Sequence, residues 1–310
     1  MIDPHIEGLL AAMAESGFQL PDPLDAASMR TMLDAPIPAP HVEIAERRDI
    51  SITGGGQTLA GRLYHPAPGA ALPVVLFFHG GGWVHGTLDT HDRLAAILAV
   101  QAHCAVVSVD YRLAPEHPFP AAWEDALASL RWLKHQQCEL GIDVSRIALA
   151  GDSAGGNLAA ALAQGEAGDA AIVHQLLFYP ALDGNCAAPS FAVDHPGFLS
   201  AGQMRWYWDQ YAPGDLRTDP RACPAAGSIK NGTAPATIIV AGNDPLHDEG
   251  VAYAAALKRA GVPVALHEYS GAIHGFASLF GMIPLADEAV STAASALRMA
   301  FGQGPPETAR

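Results

Sequence analysis

From about residue 46 onward the apolar positions switch between a two-residue and a 3.6-residue rhythm, and the order of those rhythms predicts the fold. Arg47–Thr53 alternates around Ile50 and Ile52, Gly54-Gly55-Gly56 turns the chain, and Leu59–His65 returns as a hairpin partner. Pro73–Phe78 is apolar without interruption, as expected of a central strand covered on both faces. A helix (about 89–102), a strand (105–110), a helix (about 121–136) and a strand (146–150) follow in alternation. After an Ala-rich helix beyond Ser153 come strands at 172–179, 237–242 and 264–269, with helices from about 248 and 286. This alternation predicts an α/β fold: a mostly parallel central sheet, helices on both faces, and a site at the carboxyl ends of the strands.

Two stretches fall outside the alternation. Residues from about 5 to 35 place Ile6, Leu9, Leu10, Met13, Met29, Met32 and Leu33 at helical spacing, before Pro36, Pro38 and Pro40 break the pattern as a linker. Such a segment suits a lid, a helix packed on the core or a dimer arm. Between Tyr179 and Thr237 no core strand is evident, and loops of that length are commonly functional. Within it, FLSAGQMRWYWDQYA offers Phe198, Leu199, Met204, Trp206, Tyr207, Trp208 and Tyr211 as a sticky face, the second half of a cap. The expected division is therefore 1–45 for N-terminal cap helices and linker, 46–184 and 218–310 for the two parts of the core, and 185–217 for a cap insertion.

Composition narrows the partners. Of 310 residues half are hydrophobic and 16% charged, enough apolar surface for a large core. A net charge of −15 argues against nucleic acid, whose phosphates require a basic surface. No unbroken apolar run reaches the roughly 18 residues of a membrane span. The first residues carry Asp3, Glu7 and Glu15 and no basic leader, unlike a secretory signal. Cys104, Cys138, Cys186 and Cys223 are scattered, as free thiols of a reducing compartment would be, so a cytoplasmic location is expected.

The chemistry centres on Ile147–Leu158, a short apolar strand running through G-x-S-x-G into a helix. Glycines at 151, 155 and 156 permit a tight turn that leaves Ser153 projecting above a helix N-terminus, as a nucleophile. A serine hydroxyl needs a base. In this strand–turn–helix context the partners follow in the order acid, then histidine. Of 14 histidines, His247, His267 and His274 come late enough. His267 lies within an alternating strand and His247 beside a helix start, whereas His274 sits in a glycine-flanked loop after the last strand. Asp244, at the end of the preceding strand, is the preferred acid, with Asp248 and Glu249 as rivals that would also complement a helix dipole. His79-Gly80-Gly81-Gly82-Trp83 follows the apolar run VVLFF, and its glycines expose N–H groups as an oxyanion hole requires. Gly81, Gly82 and Ala154 are the candidate donors, and His79 is expected to orient the loop. Neither G-x-G-x-x-G nor a P-loop lysine competes with that reading, and no zinc spacing occurs, so no metal is assigned.

With these residues in place the chain resembles the hormone-sensitive-lipase family of bacterial α/β-hydrolase esterases, in the branch bearing GDSAG. The matches are HGGGW at 79–83, DYRLAPEHPFPAA at 110–122, GDSAGGNLA at 151–159, DPLHDEG at 244–250 and HGF at 274–276. The resemblance implies the α/β-hydrolase fold with a helical cap, Ser153, Asp244 and His274 as a catalytic triad, and Gly81, Gly82 and Ala154 as the oxyanion hole. It also implies hydrolysis of short- to medium-chain acyl esters without a cofactor, and a dimer is common among such proteins. Asp110, Tyr111, Arg112 and Glu116 are expected to buttress the site, and Trp83, Trp206 and Tyr207 are candidates for lining the substrate pocket. An amidase, formamidase or deacetylase of the same fold is the nearest alternative; a triglyceride lipase and a non-catalytic small-molecule receptor are more distant ones.

Overall fold

The computed structural model describes residues 1–35, 39, 41–193, 197 and 199–304; the linker prolines Pro36, Pro38 and Pro40 and the cap residue Phe198 lie outside them. In chain order the elements are α1 (Pro4–Glu15), α2 (Ala26–Leu33), β1 (Glu46–Gly54), β2 (Gln57–His65), β3 (Leu72–Phe78), α3 (Asp92–Ala102), β4 (Ala105–Val109), α4 (Ala121–Leu133), α5 (Gln137–Leu140), β5 (Ile142–Asp152), α6 (Ala154–Gly165), β6 (Ile172–Phe178), α7 (Ala201–Tyr211), β7 (Ala236–Asn243), α8 (His247–Arg259), β8 (Val264–Ile273) and α9 (Pro284–Ala300). The strands form one sheet in the order β1-β2-β4-β3-β5-β6-β7-β8. The β1–β2 hairpin is antiparallel and joins β4 antiparallel, and every later pairing is parallel.

The two-residue period of the strands divides the core in two. On β3, Val74, Leu76 and Phe78 face a layer built from α4, α6 and α8, while Val75 and Phe77 face α3 and α9. All seven residues of β3 are buried, as their uninterrupted apolar run requires. Alanines crowd α6 and α9 because helices lying flat on a twisted sheet must approach it closely.

The N-terminal periodic stretch is two helices with different attachments. α1 ends at Ser16 and Gly17, the latter at a φ of 75° that a glycine adopts without a Cβ clash, and α2 starts afresh from an Asp25 N-cap. Ile6 of α1 is fully buried in the core layer of α3 and α9, and Asp3 N donates to Gly271 O at 3.0 Å. Met29 of α2 is fully buried in the opposite layer, together with Trp83, Trp208 and Tyr211. α7 begins at a Ser200–Gln203 capping box and packs Met204, Tyr207, Trp208 and Tyr211 inward. Two strands run further than their apolar patterns alone indicate. β5 begins at Ile142, which pairs with Leu72 before a register shift, and β8 continues past Tyr269 to Ile273 beside Asn243.

Candidate active site

Ser153 occupies the turn from β5 into α6 at φ 54° and ψ −116°, a left-handed conformation costing about 1–3 kcal/mol that the surroundings must impose. They do so from three sides. Ser153 N donates to Phe178 O at 2.9 Å, Ser153 O accepts Ala181 N at 3.2 Å, and α6 lies so close to β3 that a Cβ on Gly155 would overlap the Phe78 carbonyl. The side chain is thereby aimed across the sheet toward the loop after β8. There His274 Nε2 lies 2.9 Å from Ser153 Oγ, and His274 Nδ1 lies 2.7 Å from Asp244 Oδ2. Asp244 follows β7 and is fully buried, and its other oxygen accepts Leu246 N at 2.9 Å. A carboxylate beside Nδ1 fixes the proton there and leaves Nε2 as an acceptor toward the serine. Tyr179 packs its ring edge on the imidazole, centroids 4.9 Å apart.

The rival residues are engaged elsewhere. His247 bridges Asp248 (2.8 Å) and Glu268 (3.2 Å), and His267 sits half-buried in β8. Asp248 accepts Ser190 N at 2.9 Å. Glu249 accepts Leu182 N at 2.6 Å in a pocket so dry that burial raises its carboxyl well above the usual range.

The HGGGW loop comes up beside the serine from the end of β3. Val84 N and His85 N both donate to Gly81 O at 3.0 Å, and among the described residues no hydrogen bond occupies the N–H of Gly81, Gly82 or Ala154. Gly82 has a φ of 59°, and a Cβ there would run into the ring of Tyr207 on α7. Beneath the loop, Asp152 Oδ1 accepts Gly80 N at 2.9 Å and Asp152 Oδ2 lies 3.3 Å from His91 Nε2. Burial pushes the Asp152 carboxyl up, but His91 and the Gly80 N–H hold it below its ordinary value. His79 lies 2.7 Å, through Nδ1, from Gly80 O and stacks on Tyr111 at 4.3 Å, while Tyr111 Oη donates to His79 O at 2.7 Å. Burial, with His91 nearby, drives the His79 pKa down to about 3, so it is a neutral strut.

Of the other buttress candidates, Arg112 clasps Asp125 through Nε and Nη2, and Glu116 takes the guanidinium of Arg30. Asp110 is half-buried, which raises its carboxyl. Tyr207 meets the loop, its Oη 2.9 Å from His85 Nε2, and Trp206 lies beyond it in an edge contact at 5.2 Å. Trp83 turns the other way: fully buried, it stacks on Tyr211 at 4.2 Å and 7° and joins the loop to α7. Asp152 and His91 were missed by sequence reasoning. The position beside the nucleophile marks Asp152 for attention, but nothing in the spacing points to His91, 61 residues earlier.

The family model for the alpha/beta hydrolase fold matches residues 75–278. Esterase LipI of Mycobacterium tuberculosis is 42% identical over 310 residues, spanning 96% of this chain and 95% of that protein. The chain belongs to the hormone-sensitive-lipase family of α/β-hydrolase esterases. Within this family, the ethyl acetate hydrolase of Pseudomonas putida is 44% identical over 260 residues, 81% of each chain. The solved esterase of Pyrobaculum calidifontis superposes with a TM-score of 0.86 at 36% identity, covering 97% of this chain and all of that one. The α/β-hydrolase esterase described here is a carboxylic ester hydrolase acting on small-molecule esters. Among its described residues there is no group of three or more metal-ligating side chains, and no helix is long and apolar enough to cross a membrane.

Proposed function

We propose that this serine carboxylesterase works through Ser153, His274 and Asp244, with Gly81, Gly82 and Ala154 as oxyanion donors, on acyl esters of short to medium chain length. The observation that carries the reading is the unbroken line of hydrogen bonds from Asp244 through His274 to Ser153. Ser153 Oγ attacks the ester carbonyl as His274 Nε2 takes its proton, and Asp244 stabilises the imidazolium that forms. The oxygen that gains charge is met by the three N–H groups, each worth about 10²–10³ in rate in serine hydrolases. His274 returns the proton to the departing alcohol, then draws one from water, which attacks the acyl-enzyme and frees the acid.

A relative named for ethyl acetate hydrolysis supports small acyl groups. So does the enclosure of the site: Ser153 is only 7% and His274 only 8% exposed. Tyr207 and Trp206 are assigned to the substrate side of the cap, which is built from α2 and residues 185–217, and Trp83 to its foundation. The free cysteines suit a reducing, cytoplasmic setting. β8 ends the sheet, and away from Gly271, where Asp3 N is already bonded, its edge is a surface that a second copy would extend into a homodimer.

The test is hydrolysis of p-nitrophenyl esters from acetate to palmitate by wild type and Ser153→Ala. Activity is expected to peak at short chains and to vanish in the folded variant. Retained turnover in Ser153→Ala rejects the nucleophile, and a maximum at palmitate rejects the chain-length reading.

A further inference from the structure

Helix α2 holds the loop of the oxyanion donors by two side chains one turn apart. Arg30 Nε donates to Val84 O at 2.8 Å, two residues beyond Gly82, and Arg30 Nη2 donates to Ala114 O at 2.9 Å. Glu116 closes the guanidinium fork, with contacts of 2.8 Å to Nη1 and 2.6 Å to Nη2. Asp34, at the C-cap of α2, accepts Gly86 N through Oδ1 at 2.7 Å, and His85 Nδ1 lies 3.8 Å from the same oxygen. Positions four apart on a helix share a face, so the two side chains grip residues 84–86 together. The gripped segment completes the turn in which Val84 N and His85 N converge on Gly81 O, and that turn sets where the N–H groups of Gly81 and Gly82 point.

Two features separate this arrangement from ordinary packing. A carboxylate at a helix C-terminus opposes the helix dipole, so α2 gains nothing from Asp34 and the partner that explains it is Gly86. The loop itself is soft, since Gly80, Gly81 and Gly82 lack the side chains that would narrow their backbone angles. Its aim must therefore come from outside. The grip also holds its charge in acid, because hydrogen bonding to Arg30 brings the Glu116 carboxyl down to about 2.

We propose that Arg30 and Asp34 are positioning residues for the oxyanion hole, acting through the 84–86 backbone to keep the Gly81 and Gly82 N–H groups aimed at the developing charge. The proposal rests on the oxyanion assignment made above. Because that charge exists only as the reaction proceeds, misaimed donors lower kcat and spare KM. A helix serving only as a lid would do the reverse, raising KM and changing chain-length preference.

The experiment measures kcat and KM on p-nitrophenyl acetate for Arg30→Met, Arg30→Lys and Asp34→Ala in the full chain. Inhibition by a trifluoromethyl ketone, whose serine adduct carries an oxyanion, is measured beside them. Arg30→Met is expected to lose about 10- to 100-fold in kcat, the scale of a small misplacement at a reacting centre. Ketone binding should weaken in step while KM stays within about twofold, the signature of an interaction made only in the transition state. Arg30→Lys should recover part of the loss, since an ammonium reaches one carbonyl but lacks the fork. Asp34→Ala should give the same split to a smaller extent, and it decides the matter if Arg30→Met does not fold. Unchanged kcat and ketone affinity in folded variants, or a rise in KM alone, overturns the proposal. A ketone that fails to inhibit wild type instead overturns the oxyanion assignment, and the clamp with it.

Discussion

At the residue scale, Gly82 tolerates no side chain. Its φ of 59° disfavours any side chain, and its α-carbon faces the Tyr207 ring at a separation that leaves no room for a methyl group. Gly82→Ala is expected to reduce kcat by about 10²–10³-fold, as for loss of one oxyanion donor. Adding Tyr207→Ala should return part of that activity by removing the obstructing ring while leaving the backbone strain. A double variant no better than Gly82→Ala, measured by kcat on p-nitrophenyl acetate, refutes steric conflict as the cause. Ser153, Asp244 and His274 were legible in the sequence because each stands just past a predictable strand, and parallel strands bring such ends together. Asp152, His91 and Arg30 were not, because their partners are fixed by packing between distant loops and no period or spacing encodes it.

At the element scale, the sequence shows a helical rhythm across residues 5–35 but not its two allegiances. The same apolar periodicity serves α1, which buries Ile6 in the core layer that holds α3 and α9, and α2, which buries Met29 in the opposite layer with Trp83. Periodicity reports that a helix has an apolar face; it is silent on which surface that face meets. The distinction is measurable. Ile6→Ala should cost about 2–5 kcal/mol in urea unfolding, the range for truncating a fully buried aliphatic side chain. Its kcat should remain close to wild type, since Ile6 lies in one core layer and the loop residues Trp83 and Val84 in the other. A stability loss well below that range means that α1 is loosely docked. The aromatic residues of α7 are plain in the sequence, yet their partition is not: Trp208 and Tyr211 face the core and Trp206 remains half-buried.

At the scale of the whole molecule, three histidines, His79 and His174 buried and His85 partly so, tie stability to pH. Burial lowers the pKa of His79 to about 3 and those of His85 and His174 to about 4. In the unfolded chain each titrates near its ordinary value of about 6.5, so below that pH the unfolded state takes up protons that the native state refuses. The stabilisation from each is complete above about pH 6.5. It declines as pH falls through the interval to the folded value, by about 1.4 kcal/mol per pH unit per histidine. Unfolding free energy measured in urea at pH 7, 6 and 5 should decline accordingly. His174→Gln should flatten the decline by one histidine's share, because His174 contacts Thr237, not the loop at 79–86, and its removal leaves the other two in place. An unchanged slope in that variant means that His174 is protonated in the native protein.

The bond from Asp3 to Gly271 joins the third residue to one 268 positions later, and it has a bearing on the order of events during synthesis. Domains fold progressively as the ribosome delivers them, and contacts between distant segments close late. α1 is made well before its docking point at Gly271 on β8. Until then Ile6, Leu9 and Leu10 travel uncovered beside an unfinished sheet. The α1 segment therefore waits with its apolar face uncovered through the synthesis of every strand from β1 to β8.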